Sequence, residues 1–132
     1  MSPRIWIFCG AVLGALGVGL GAYHAHGLQK MLDQRGLIPD EVQRQMQNFD
    51  VGVRYEIYHA LALILVGLLA SPKPSAWFHT AGGLFLAGTL LFCGALFIPV
   101  LADVKLSWII VPTGGAALIL GWVTLAIAAL RA

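Results

Sequence analysis

The side chains able to do chemistry in this chain fall into two groups. Tyr55, Glu56 and His59 stand in one apolar run, and His24 with His26 stands at the end of another. If the first run is helical, Tyr55, Glu56 and His59 lie within about 100° of arc, with His59 angularly between the other two. Ionisable groups inside an apolar helix are costly and point into a bundle or a water-filled cavity. His26, Tyr55, Glu56 and His59 are therefore the candidate polar site. The chemistry open to them is interhelical hydrogen bonding, proton exchange or metal ligation. For ligation, His24, His26 and His59 offer imidazoles suited to copper, zinc or haem iron, although the preferred expectation is no cofactor. No residue set has the closed spacing of a zinc finger or a zincin. Arg54 and Glu56 are expected close enough to the membrane surface to be solvated. His79, just after Trp77, reads as an interfacial residue rather than a ligand. No nucleophile, base and orienting group stand at a recognisable spacing, so no catalytic residue is assigned and an enzyme ranks last.

The composition decides where such residues sit. With 132 residues, 59% hydrophobic and 11% charged, the chain has more apolar surface than a soluble domain of this size can hide. It reads as an integral membrane protein with the lipid bilayer as its solvent. The formal net charge of +2 comes from scattered Lys and Arg, which excludes nucleic acid and a polybasic lipid-binding patch. Cys9 and Cys93 fall inside apolar segments without a CxxC or Cys/His spacing and read as buried thiols. Arg4 before the first apolar run makes a signal peptide the rival reading of that run, but no Ala-x-Ala site closes it. It is expected to be retained as a span.

The expected fold is all-α, an antiparallel bundle of four transmembrane helices over residues 1–132, with spans at about 5–23, 52–70, 77–101 and 106–130. An amphipathic, polar segment over 28–50 joins the first two. The first span rises about 28 Å, which suits a hydrocarbon core of about 30 Å. Gly10, Gly14, Gly17 and Gly21 share one face of it and predict close packing against another helix. Beyond it, Leu28, Met31 and Leu32 give an apolar edge to a short interfacial helix. Pro39 is placed as a first helical residue, with Asp40 and Glu41 complementing the helix N-terminus. Val42, Met46, Phe49, Val53 and Ile57 continue one stripe, so the second helix is expected to start outside the bilayer and run in without a break. Pro72 and Pro74 predict a stiff turn, and Pro112 predicts a kink relieved by Thr113 or a neighbouring helix. On the loop face Lys30, Arg35, Arg44, Arg54 and Lys105 outnumber Arg4, Lys73 and Arg131 on the other. Only Lys30, Arg54 and Lys105 lie near a span, and Arg4 before the first span favours termini inside.

Several motifs occur in order: Gly21-Ala22-Tyr23-His24-Ala25-His26-Gly27-Leu28, Tyr55 to Leu63, Leu91-Phe92-Cys93-Gly94-Ala95-Leu96-Phe97, Pro112-Thr113-Gly114-Gly115 and Gly121-Trp122. Together they resemble the domain of unknown function 423 family, small four-helix proteins of bacterial inner membranes with relatives in eukaryotes. The resemblance covers nearly the whole chain. It implies fold and a multi-pass location in the cell inner membrane, and no activity, since none is established for the family. His26, Tyr58 and His59 match the family pattern. His24 stands where glycine is usual, and Cys93, Ala95 and Phe97 stand where Ser, Ser and Tyr are common.

Three functional readings remain open from the residues. The first is a non-enzymatic homo-oligomer or accessory subunit of a membrane complex, packing through glycine-rich helix faces. The second is a histidine-based metal or haem binder, and the third a proton-coupled transporter or channel using Glu56 and His59. Only the Pro112 to Gly114 region resembles a broken helix, and the two halves do not match as repeats. The first reading is the one adopted.

Overall fold

The computed structural model describes residues 2–72 and 75–131, and all regular structure among them is helical. Four helices are long and apolar enough to cross a membrane: α1 (Arg4–Asp33), α2 (Pro39–Ala70), α3 (Ala76–Ala102) and α4 (Ile110–Arg131). Each packs chiefly on its neighbour in sequence, α1 on α2, α2 on α3 and α3 on α4. Both ends of the chain lie at one end of the bundle. There the Pro3 carbonyl and Ile7 sit over Gly67, and the Arg131 guanidinium lies 5.0 Å from the Trp77 ring.

The boundaries follow from local chemistry. Pro39 opens α2 with a preset φ, and Asp40 and Glu41 occupy its first turn. With 32 residues, α2 is about 48 Å long, so its first part stands outside a hydrocarbon core of about 30 Å. Ser75 caps α3 by accepting from the Trp77 amide at 3.3 Å. At the other end of α3, Asp103 turns left-handed at φ 52°, a conformation that Asp adopts more readily than most residues. Arg35 then reaches across from the α1–α2 loop and donates to the Val100 carbonyl at 2.6 Å and the Leu101 carbonyl at 3.1 Å. These are orphan acceptors at a helix C-terminus, where a cation also meets the favourable end of the dipole.

The structure corrects two expectations about where the helices begin and end. The chain does not leave α1 after Tyr23 to form a separate interfacial helix, because His24–Leu28 continues it as a π-turn and Gln29–Asp33 completes it. Gly36, at φ 69°, ends the run. The last span begins at Ile110 rather than 106, so Pro112 falls in the first turn, where its missing N–H breaks no helical bond and kinks nothing. Thr113 Oγ1 still donates to the Ile109 carbonyl, at 2.7 Å. The turn expected over 71–75 includes Lys73 and Pro74, which lie outside the described residues.

The glycine stripe of α1 lies along α2. A Cβ at Gly10 would stand 2.5 Å from the Ala60 carbonyl oxygen and 3.1 Å from the Ile64 amide nitrogen. Gly17 faces Ile57 and Glu56, and Gly21 faces Val53. Gly14 is looser, its nearest neighbour, Ala60 Cβ, being 3.9 Å away. Two substitutions on one stripe should therefore differ in sign. Gly10→Ala drives a methyl into backbone and is expected to cost about 1–3 kcal/mol. Gly14→Ala fits and is expected to stabilise by about 0.5–1 kcal/mol through helix propensity. Reversible unfolding in detergent measures both, and equal effects would contradict this packing.

Candidate functional site

His59 occupies the middle of the bundle, 4% exposed, and ties α2 to α4. Its Nδ1 lies 2.7 Å from the Tyr55 carbonyl oxygen, and its Nε2 lies 3.2 Å from Trp122 Nε1. An indole nitrogen only donates, so Nε2 is the acceptor and the proton sits on Nδ1, where it is donated to the carbonyl. One tautomer satisfies both contacts. Phe85 and Trp122 pack edge-on beside the imidazole, with centroids 4.9 Å apart. The contribution of Tyr55 is its backbone carbonyl, while its ring lies against Phe92 at 4.9 Å.

A second Trp–His pair works the same way nearer the chain ends. Trp6, 3% exposed, donates from Nε1 to His79 Nδ1 at 3.0 Å and joins α1 to α3. Gly82 makes room for that indole, since a Cβ there would lie 2.6 Å from Trp6 Cδ2. His79 is thus a helix tie rather than a purely interfacial side chain.

The histidines of α1 take separate places. His24 Nε2 donates to the Met46 carbonyl at 3.2 Å, and its ring stacks on Phe49 at 6.1 Å and 8°. The π-turn helps aim it at α2, because the wider i→i+5 turn shifts the angular position of side chains relative to a regular α-helix. His26 is exposed. Gly14 is level with Ala60, and His26 lies twelve residues beyond Gly14, roughly 18 Å along the helix. It therefore cannot meet His59, and the expected shared site of His26 and His59 is corrected. His24, His26 and His59 are likewise spread along the bundle. Among the described residues, no three His, Cys, Asp or Glu side chains are grouped to hold a metal. Cys9 is half-buried and Cys93 buried, both as free thiols.

Glu56 departs most from expectation. It is 4% exposed rather than solvated, because it points inward between α1 and α3 and its Oε2 lies 3.5 Å from the Cβ position of Gly17. Gly17 is six residues, about 9 Å along the helix, before Tyr23, the limit expected for the first span. Arg54 does face out, paired with Asp50 at 2.8 Å. At the mouth of α2, outside the bilayer, hydrogen bonds from Arg44 and then Gln45 hold the half-buried Glu41 carboxyl below its usual range.

Beside His59, a cavity of about 480 Å³ opens between α2, α3 and α4, lined by Tyr55, Tyr58, Phe92, Leu118, Ile119 and Trp122. Tyr58, Ile119 and Trp122 are themselves exposed, so the cavity opens on the outer surface of the bundle with a mostly apolar lining. Sequence reasoning missed Trp6, Trp122, Arg35 and Thr89. A signal existed for the tryptophans, since an indole N–H away from water needs an acceptor and these spans offer few besides histidine.

The chain matches the family described as Protein of unknown function (DUF423) over residues 20–115. It is 38% identical over 129 residues to the UPF0382 membrane protein YwdK of Bacillus subtilis, covering 97% of this chain and 98% of that one. It is 36% identical over 128 residues to the UPF0382 membrane protein SAB0533 of Staphylococcus aureus, covering 97% of each. With the UPF0382 inner membrane protein YgdD of Escherichia coli K12 it shares 28% identity over 131 residues, 99% of this chain and 93% of that one. No solved structure matches. Four apolar helices and relatives named as membrane proteins make this a multi-pass membrane protein.

The His59–Trp122 bond can be measured as a coupling. Trp122→Phe, His59→Leu and the double variant, unfolded in detergent, should give a coupling energy of about 0.6 kcal/mol and no more than about 1.7, the range for interhelical hydrogen bonds in membranes. Zero coupling would mean that the two side chains do not meet.

Proposed function

The chain belongs to the DUF423 family of membrane proteins, and we propose that it works as a non-enzymatic oligomeric subunit that joins a second copy through the outward face of α1. The observation that carries this reading is a second row of small residues on α1. Ala11, Ala15, Gly19 and Ala22, at spacings of four, four and three, are all exposed. No atom stands within 4 Å of a Cβ built at Gly19. The inner glycines of α1 are already spent on α2, and α1 packs chiefly on that one helix, so its outer face is free to receive another. Flexible acyl chains fill a bare, flat helix face less well than a matching helix does, and small-xxx-small rows are the recurrent solution. The polar groups of the spans support the same reading. Trp6 with His79, and His59 with Trp122, are engaged in holding helices together.

Identical rows on two copies make a self-complementary interface, the simplest route to a closed dimer. Cross-linking in native membranes tests it. Ala15→Cys should give a disulfide-linked dimer on oxidation, whereas Cys9 packs toward the core and Cys93 is buried. Gly19→Leu should abolish that cross-link and shift the protein to monomer in native mass spectrometry. A failure of Ala15→Cys to cross-link, together with an oligomeric state untouched by Gly19→Leu, would refute the reading.

A further inference from the structure

Two polar side chains deep in the bundle have no partner. Among the described residues, nothing donates to Glu56 Oε2 and nothing bonds Thr89 Oγ1, although Glu56 is 4% and Thr89 1% exposed. The packing register brings them to the same part of the bundle. Gly52 meets Phe97, Tyr55 meets Phe92 and His59 meets Phe85, so the antiparallel α2 and α3 place Glu56 between Thr89 and Cys93. Thr89 and Cys93 are four residues apart on α3 and both are buried, so they share its inner face. On the third side stands Gly17, which leaves its place beside the carboxyl bare.

The charge surroundings of this group are sparse. From α1 only Leu13, Gly14 and Gly17 face this level, and none ionises. From α3 come Thr89 and the Cys93 thiol. On α2 itself Arg54 turns out to Asp50, and His59 is engaged by Tyr55 and Trp122. A carboxyl in a bilayer with no counter-charge needs a cation of its own, and a buried hydroxyl without a partner needs a ligand to bond. We propose that Glu56 and Thr89 form an intramembrane site for one small monovalent cation, a proton or an alkali-metal ion, enclosed by α1, α2 and α3. The site is independent of the outward α1 face and of any oligomer formed there.

Carbodiimide labelling of the full-length protein in lipid vesicles tests the site. Dicyclohexylcarbodiimide enters the bilayer and adds to a carboxyl that carries an exchangeable proton, and peptide mass spectrometry locates the adduct. We expect it on Glu56, absent in Glu56→Gln, with a rate that falls as pH rises. If sodium and choline chloride act alike, the bound cation is the proton. Slower labelling in sodium at fixed pH assigns an alkali-metal ion competing for the same oxygens. Thr89→Val should shift the pH or salt profile. An unchanged profile would remove Thr89 and overturn the paired site. Two results overturn the cation site altogether. One is a Glu56 that is never labelled in folded protein yet is labelled after unfolding in dodecyl sulfate, and the other is a rate indifferent to both pH and salt.

Discussion

Lipid supplies no hydrophobic force to push one apolar helix against another, so this bundle depends on how near the backbones can come. At Gly10, α1 and the Ala60 carbonyl leave no room for even one methyl group, and at Gly114 the Phe92 backbone leaves none between α3 and α4. The same device recurs elsewhere: Gly82 admits the Trp6 indole, Gly52 the Phe97 ring and Gly121 the Phe85 ring. Each glycine costs about 0.5–1 kcal/mol of helix propensity relative to alanine. That cost is offset by the dispersion contacts of a large ring seated where a side chain would have been.

Close approach alone does not fix which helices pair or at what height, and the polar groups add that information. Each Trp–His bond crosses between helices that are not neighbours in sequence, α1 to α3 through Trp6 and His79, α2 to α4 through His59 and Trp122. Such a bond is worth little in net energy, because a helix adrift in the membrane also finds partners. It is directional, however, and a helix slid by one turn would leave an indole N–H and an imidazole nitrogen unsatisfied in hydrocarbon. Arg35 acts similarly at the loop end, locking the end of α3 to the α1–α2 connection by its two carbonyl contacts.

The number of helices, their alternation and the packing face of α1 were legible in the sequence because they rest on period and length, which one segment carries by itself. Depth was not. α2 is longer than the hydrocarbon is thick, so its sequence allows the bilayer to sit at several heights. Only the contact of Glu56 with Gly17 turns the carboxyl into the bundle, against α1. Neighbours across the bundle were equally hidden. Periodicity places His59 on a face, but that the face meets Trp122 rather than His26 depends on how the helices are arranged about one another. Pro112 failed for a local reason, since a proline reads as a kink or a start according to where the helix begins, and 103–109 has no periodicity to mark it.

The two proposals draw on two different faces of α1. Its glycines at 10, 14, 17 and 21 turn toward α2, and one of them, Gly17, also clears the space into which Glu56 projects. A larger residue there would meet Ile57 first and the carboxyl next, so the small side chain serves packing and the polar group together. An acid at this depth adds nothing to stability that an apolar side chain of similar volume would not supply better, and burying it without a counter-charge costs free energy. Its presence beside a bare glycine and a buried hydroxyl is therefore hard to explain by packing alone. The outward row of alanines and Gly19 carries no such cost and needs only a second surface of the same shape. The proposed assembly surface and the proposed ion site thus use different faces of a single helix.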